Sequence, residues 1–310
     1  MNRIALIADS AVDLDSALRE RFGIADYVHG IVVRPDGSQF LADCDWKNIT
    51  PEEYFGSMAK GKKIYKSATC SAKEAEDIFR KHLSLGEDVL AITIASVFSG
   101  IYNLFVGLAK RLAPEYPNQK IRVIDSCRYS GGYSLLCLRA HELIEEGKKI
   151  DEIVPVLEDT KNQIHQFGPL DDLFFLNRSG RVSKTIAIMG TMVGIRPLAD
   201  FQKAGYCGVL GKTKGENHAL EVGVAYVKKT IMDPEKSTLF VCHSNRPKEA
   251  EHYADLLAKA LNPKALFIQN VGQISGANIG PGLVAAFYFG EPISDDLAHE
   301  KEILASLLHQ

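Results

Sequence analysis

A chain of 310 residues, 46% hydrophobic and 24% charged, is long enough for one large domain or two ordinary ones and buries a core without staples. Its formal net charge of −3 excludes the strongly basic balance by which proteins take up nucleic acid or acidic membrane surfaces. Cys44, Cys70, Cys127, Cys137, Cys207 and Cys242 are scattered, with no C-x-x-C and no histidine at metal-ligand spacing, so they read as reduced, mostly buried thiols, and no metal or other cofactor is expected. MNRIALIADS runs straight into a strand without a signal-like apolar stretch, and no window holds about 18 uninterrupted apolar residues, so the expected compartment is the cytoplasm, with no membrane insertion.

In chain order, Ile4 to Ala8 reads as a buried strand closed by Asp9-Ser10, with Asp13 as the cap of a segment from Leu14 to Phe22. Tyr27 to Val33 is expected as one further strand, followed by the Pro35-Asp36-Gly37 turn and an extended piece at Phe40-Leu41. Thr50-Pro51-Glu52-Glu53 opens a helix that runs to Lys60, with Thr50 as N-cap, Pro51 at the first helical position and Glu53 at capping-box spacing. Ser67-Ala68-Thr69-Cys70-Ser71 is a hydroxyl-rich turn, and Ser71 with Glu74 repeats the capping-box spacing before a helix ending near Leu85.

Val89 to Lys110 carries the most informative pattern: a β-branched apolar run to Ile94, a turn holding Ser96, Ser99 and Gly100, then Leu104 and Leu108 at helical spacing. Such a turn leaves the first helical N–H groups unpaired and aims the positive end of the helix dipole at its contents, which suits a carboxylate or a phosphate. The plainer reading makes Ser99 the N-cap of a packed helix. Ile121 to Ile124 is another strand closed by Asp125-Ser126, and helices follow over Tyr129 to Glu146 and Ile150 to Thr160, separated by Gly147. In an open α/β sheet ligands bind beyond the carboxyl ends of strands, so these turns are expected to converge on one crevice.

Near residue 163 the pattern changes to strands joined by Gly-rich turns, which divides the chain into a predicted N-terminal domain, 1–163, and a C-terminal domain, 164–310. In the latter, Leu170 to Asn177 reads as helix, and Ser179-Gly180-Arg181 as a turn before an apolar segment from Ser183 to Met192. Ile195 to Phe201 and Gly205 to Leu210 read as an antiparallel pair. A helix over Ala219 to Thr230, a strand over Ser237 to Cys242, a helix over Pro247 to Ala260 and a strand over Ala265 to Asn270 follow. Ile274 to Gly282 reads as a loop before the apolar run Leu283 to Phe289.

Several chemistries fail on spacing. A phosphate loop ending at Lys212-Thr213 needs a glycine where Tyr206 stands, and neither G-x-S-x-G nor H-E-x-x-H occurs. A hydrolase or acyl-transfer enzyme would use Ser96 or Ser99 as nucleophile, with His243 or His165 as the only candidate bases. Arg181 is suited to orient an anion or a phosphorylated partner, or simply to reach solvent from its turn. Met189 and Met192 suit a core, or the wall of a tunnel for an aliphatic chain.

Five blocks in order resemble the DegV family of bacterial fatty-acid-binding proteins: Asp9-Ser10 with Asp13-Leu14, Lys66 to Ser71, Ala95 to Tyr102, Asp172 to Ser183 with Ile195 to Leu198, and Asn278 to Gly282. The resemblance implies a two-domain α/β (EDD) fold with a mainly parallel N-terminal sheet, helices on both its faces, a mixed or antiparallel C-terminal sheet, and a ligand in the cleft between the domains. It further implies a long-chain fatty acid whose carboxylate is held by Ser67 and Ser96, supported by Ser99, Gly100, Asn278 and Gly280, and a fatty-acid kinase partner feeding phospholipid metabolism. Arg181 and Lys214 occupy the family's basic positions for phosphoryl transfer. Asn278 replaces a histidine and Lys214 an arginine, which keeps hydrogen bonding and charge but gives up a titrating ring and a bidentate fork. The expectation is a fatty-acid carrier without a catalytic residue of its own, with a diverged carrier of another amphiphile as a further alternative.

Overall fold

The computed structural model describes residues 3–61, 63–170, 173–180 and 194–308. Arg181, Ser183, Met189 and Met192 lie outside these residues. By its contacts the chain forms two compact units, one drawn from Met1–Asn48, Tyr65–Lys161 and Gly272–Ile274, the other from Ile49–Ile64, Asn162–Val271 and Ser275–Gln310.

The first 70 residues form β1 (Ile4–Asp9), α1 (Ser16–Arg21), β2 (Ile24–Val28), β3 (Ile31–Val33), β4 (Gln39–Leu41), α2 (Pro51–Gly61) and β5 (Lys66–Ala68). Next come α3 (Ala72–Ser84), β6 (Asp88–Thr93), α4 (Ile101–Leu112), β7 (Ile121–Asp125), α5 (Ser130–Glu145) and α6 (Ile150–Thr160). In the first unit β2-β1-β6-β7 form a fully parallel sheet, with Leu6 beside Leu90 and Val89 beside Ile121. The helices pair off on this sheet, α3 with α4 against β2, β6 and β7, and α5 with α6 against β1 and β7. Covered on both faces, β6 is buried along its whole length, which is why it reads as a continuous apolar run. A small antiparallel sheet, β4-β3-β5, pairs Ile31 with Leu41 and Val32 with Ser67.

Two local expectations change in this unit. Tyr27 to Val33 is not one strand: the chain leaves the parallel sheet at Val28 and enters the small one at Ile31. Side chains hold the break, since the Gly30 N–H donates to Ser10 Oγ (2.9 Å) and the His29 N–H to Glu74 (3.1 Å). Asp13 is not a helix N-cap; it sits in left-handed geometry (φ 59°), and Asp15 caps α1 by accepting the Leu18 N–H at 2.8 Å.

The rest of the chain forms β8 (Ile164–Pro169), α7 (Phe174–Ser179), β9 (Ile195–Phe201), β10 (Cys207–Lys214), α8 (Glu216–Thr230), β11 (Thr238–His243) and α9 (Pro247–Leu261). It ends with β12 (Ala265–Asn270), α10 (Gln273–Ile279), β13 (Val284–Phe289) and α11 (Ala298–Leu308). The sheet of the second unit, β10-β9-β8-β13-β11-β12, is antiparallel except for β11 with β12. α8, α9 and α11 pack on it over a core that includes Phe167, Leu198, Leu220, Val241 and Leu257. The α/β class and the parallel and mixed sheets are as expected.

β8 escapes a reading by periodicity because two of its buried residues are polar. His165 Nδ1 lies 2.6 Å from Asp200 and Nε2 lies 2.9 Å from the Glu291 carbonyl, so both ring nitrogens donate and the imidazole is charged. Burial opposes that charge, but Asp200 and the Glu291 carbonyl outweigh it and hold His165 above its ordinary range; Asp200 in turn, though fully buried, is held below its own by His165 and by the Gln166 and Phe201 N–H groups. The expected helix from Leu170 is correspondingly shorter, beginning at Phe174. The expected loop over Ile274 to Gly282 is largely helix α10, where a Cβ on Gly276 would lie 2.8 Å from the Phe55 ring, so its small residue serves close packing. All six cysteines are free, five of them buried, and among the described residues no helix is long and apolar enough to cross a membrane.

Candidate ligand-binding turns

In the parallel sheet the chain moves outward in opposite directions from the neighbouring strands β1 and β6, so the crevice at their carboxyl ends is its switch point. Asp9 ends β1, and Ile94 to Gly100 leave β6 on that side. Three consecutive N–H groups of this turn are tied down: Ile94 donates to Asp9 Oδ2 (2.8 Å), Ala95 to the Arg128 carbonyl (2.9 Å) and Ser96 to Asp125 Oδ1 (3.1 Å). Phe98 meets Tyr129 edge to face at 6.0 Å. Gly100, not Ser99, is the N-cap of α4 and has no side chain to offer, but Ser99 Oγ accepts the first helical N–H, that of Ile101, at 3.3 Å.

The second hydroxyl-rich turn lies beside the first. A Cβ on Gly100 would sit 3.8 Å from Thr69 Oγ1, so the turn after β5 abuts the one before α4. Ser67 is half-buried in β5, opposite Val32. Ser71 caps α3 by accepting the Glu74 N–H at 3.4 Å, but the Glu74 carboxylate turns to His29 (2.6 Å), so only half of the expected capping box forms. The structure thus brings the two turns together at Thr69 and Gly100 in the first unit, with Ser67 on the strand before Thr69 and Ser96 and Ser99 on the turn before α4.

Asp9 and Asp125, which end two buried strands in the repeated Asp-Ser, hold the backbone of the Ile94–Ser96 turn. Asp9 Oδ1 accepts the Ala11 N–H (2.8 Å), and its own N–H donates to the Tyr133 hydroxyl (2.9 Å), which donates to the Ile92 carbonyl. Burial pushes the Asp9 carboxyl up to about 6 against the lowering influence of Ile94, Ala11 and Tyr133. Asp125 Oδ1 also accepts the Cys127 N–H at 2.9 Å.

In the second unit Asn278 lies on α10. Gly280 follows in left-handed geometry (φ 74°), and a Cβ there would fall 2.2 Å from the Phe175 ring. The loop is fastened by Gly282 N–H to the Ser244 carbonyl (3.0 Å) and Leu283 N–H to Ser244 Oγ (2.8 Å). Lys214 ends β10, exposed, opposite Ile195. Neither candidate base has the setting a serine nucleophile needs. His165 is charged and committed at both nitrogens, and burial pushes His243, which accepts the Arg246 N–H at Nδ1 (3.1 Å), down to about 4. Among the described residues no histidine is hydrogen-bonded to Ser96 or Ser99.

An α/β protein with a doubly wound parallel unit, a mixed-sheet unit and hydroxyl-bearing turns at its switch point is the class so defined. A family model described as "Uncharacterised protein, DegV family" matches residues 3–291, and the chain belongs to the DegV family. A DegV domain-containing protein of Clostridium perfringens is 28% identical over 291 residues, 94% of this chain and 99% of the other. Among solved structures, the fatty acid binding DegV family protein of Streptococcus agalactiae is 26% identical with a TM-score of 0.78, covering 94% of this chain and 100% of that one. A stearic acid-binding protein from Eubacterium ventriosum shares the fold (TM-score 0.81) at 22% identity over 94% of this chain and 99% of that one.

Proposed function

We propose that this protein binds a long-chain fatty acid, its carboxylate taken by the hydroxyls of Ser67 and Ser96 with help from Asn278 and its tail in an apolar tunnel, and presents it to a fatty-acid kinase in the cytoplasm. The observation that carries this reading is the meeting of the Ser67–Ser71 and Ser96–Gly100 turns at the switch point of a DegV-family chain. The fatty acids carried by related proteins of the same fold support the choice of ligand. The energetics agree. Each buried methylene contributes about 0.8 kcal/mol, so a long tail supplies most of the affinity while a few neutral donors orient the head group. Arg181 and Lys214 would act on the phosphorylated head group, and the protein itself would contribute binding rather than catalysis.

Replacing Ser67 and Ser96 together by alanine is expected to weaken binding of a long-chain fatty acid at least about tenfold, because two hydrogen bonds to a charged group are lost. Titration against delipidated protein, with native mass spectrometry for stoichiometry, reads the effect. Unchanged affinity in the double variant would remove the carboxylate from these serines.

A further inference from the structure

We infer that Asp125 is a positioning residue for the head-group serine: its carboxylate fixes the backbone of Ser96 and thereby aims the Ser96 hydroxyl. This rests on the fatty-acid reading above and adds to it a residue outside the ligand turns. Asp125 closes β7, and one of its oxygens, Oδ1, takes the N–H groups of both Ser96 (3.1 Å) and Cys127 (2.9 Å). The same β7–α5 turn accepts the Ala95 N–H at the Arg128 carbonyl (2.9 Å), and it is itself constrained, with Cys127 and Ser130 both in left-handed geometry and Ser126 Oγ bonded to Arg128 N and O. Ile94, one residue earlier, is held by Asp9 from β1. The turn therefore has three successive amides engaged inside the protein. Those three amides are closed to a ligand, so at this end of the turn an anion is met by side-chain hydroxyls, whose direction follows from the backbone that Asp125 anchors.

The residues around Asp125 fit this role. Lys161 Nζ donates to the Asp125 main-chain carbonyl (3.1 Å) and pairs with Glu158 (2.6 Å), so it feels the Asp125 charge without taking up the oxygen that holds the two amides. That leaves the carboxylate to cap the two amides. An amide side chain at position 125 keeps one acceptor oxygen and can preserve both bonds, whereas alanine loses them.

The test compares wild type, Asp125→Asn, Asp125→Ala, Ser96→Ala and the Asp125→Ala/Ser96→Ala double variant. Amide hydrogen exchange in the ligand-free protein is expected to show faster exchange at Ser96 in Asp125→Ala, with the amides of β6 unchanged and Asp125→Asn close to wild type. Affinity for a long-chain fatty acid relative to its methyl ester is expected to fall about tenfold in Asp125→Ala, and Ser96→Ala should cause little further loss in that background. Strictly additive losses, or Ser96 exchange indifferent to Asp125→Ala, would overturn the inference. Wild-type protein that prefers neither acid nor ester would instead overturn the fatty-acid reading, while the exchange result still decides whether Asp125 holds the turn.

Discussion

Asp9 shows how one side chain couples a binding turn to pH. Its carboxyl is raised from 3.8 to about 6 by burial, so the folded protein holds this proton more tightly than the unfolded chain does. The sign follows: its contribution to stability is fully present below about 3.8 and is lost as pH rises through about 6, a difference of up to roughly 3 kcal/mol. Asp9→Asn, which cannot ionise, is expected to lose that part of the pH dependence. Urea unfolding at a series of pH values between 4 and 7 should show the wild type falling relative to the variant across this interval. A parallel course of the two curves would mean that Asp9 ionises in the folded state as freely as in the unfolded chain. At this scale the sequence was partly legible. Ser67, Ser96 and Ser99 stood out because hydroxyls before a helix have a known use, whereas Asp9 and Asp125 show in the sequence only as repeated Asp-Ser strand endings, and the amides they hold at Ile94 and Ser96 are distant in the chain.

Elements were legible where one physical cause dominated. α6 runs from Ile150 to Thr160 and β12 from Ala265 to Asn270, as their patterns indicate, and Glu53 N–H reaches Thr50 Oγ1 at 3.2 Å in the expected cap of α2. They were illegible where long-range polar contacts decide, as in β8, where Asp200 on β9 takes both the His165 ring and the Gln166 backbone N–H. The same strand carries a backbone constraint. A Cβ on Gly168 would lie 2.4 Å from the Val284 carbonyl oxygen and 2.6 Å from Ala285 Cα, so β8 and β13 approach too closely there for any side chain. Gly168→Ala is expected to destabilise the protein by about 1–3 kcal/mol or more, since backbone rather than a flexible side chain must yield. A thermal or urea midpoint equal to wild type would show that the strands separate without cost.

At the scale of the whole molecule, the α/β class and the family were legible because five short blocks keep their order over almost the entire chain. Each unit completes its own sheet, the first parallel and the second mixed, and each has its own buried thiols. Cys44, Cys70 and Cys137 belong to the first unit and Cys207 and Cys242 to the second. Burial pushes Cys70 and Cys207 up to about 12 and raises Cys44 and Cys137 as well, so as native thiols they are poor nucleophiles twice over, hidden and protonated. Alkylation of each must then wait for an opening that exposes it, and the rate of its labelling becomes a clock for that opening. Pulsed alkylation read by peptide mass spectrometry is expected to give one common rate for the first three cysteines and an independent one for the last two; five equal rates would mean that the two units open together. Saturating ligand should slow the clock of whichever unit must stay closed to hold it, so the same five sulfur atoms would report where binding energy is felt without any label being engineered into the chain.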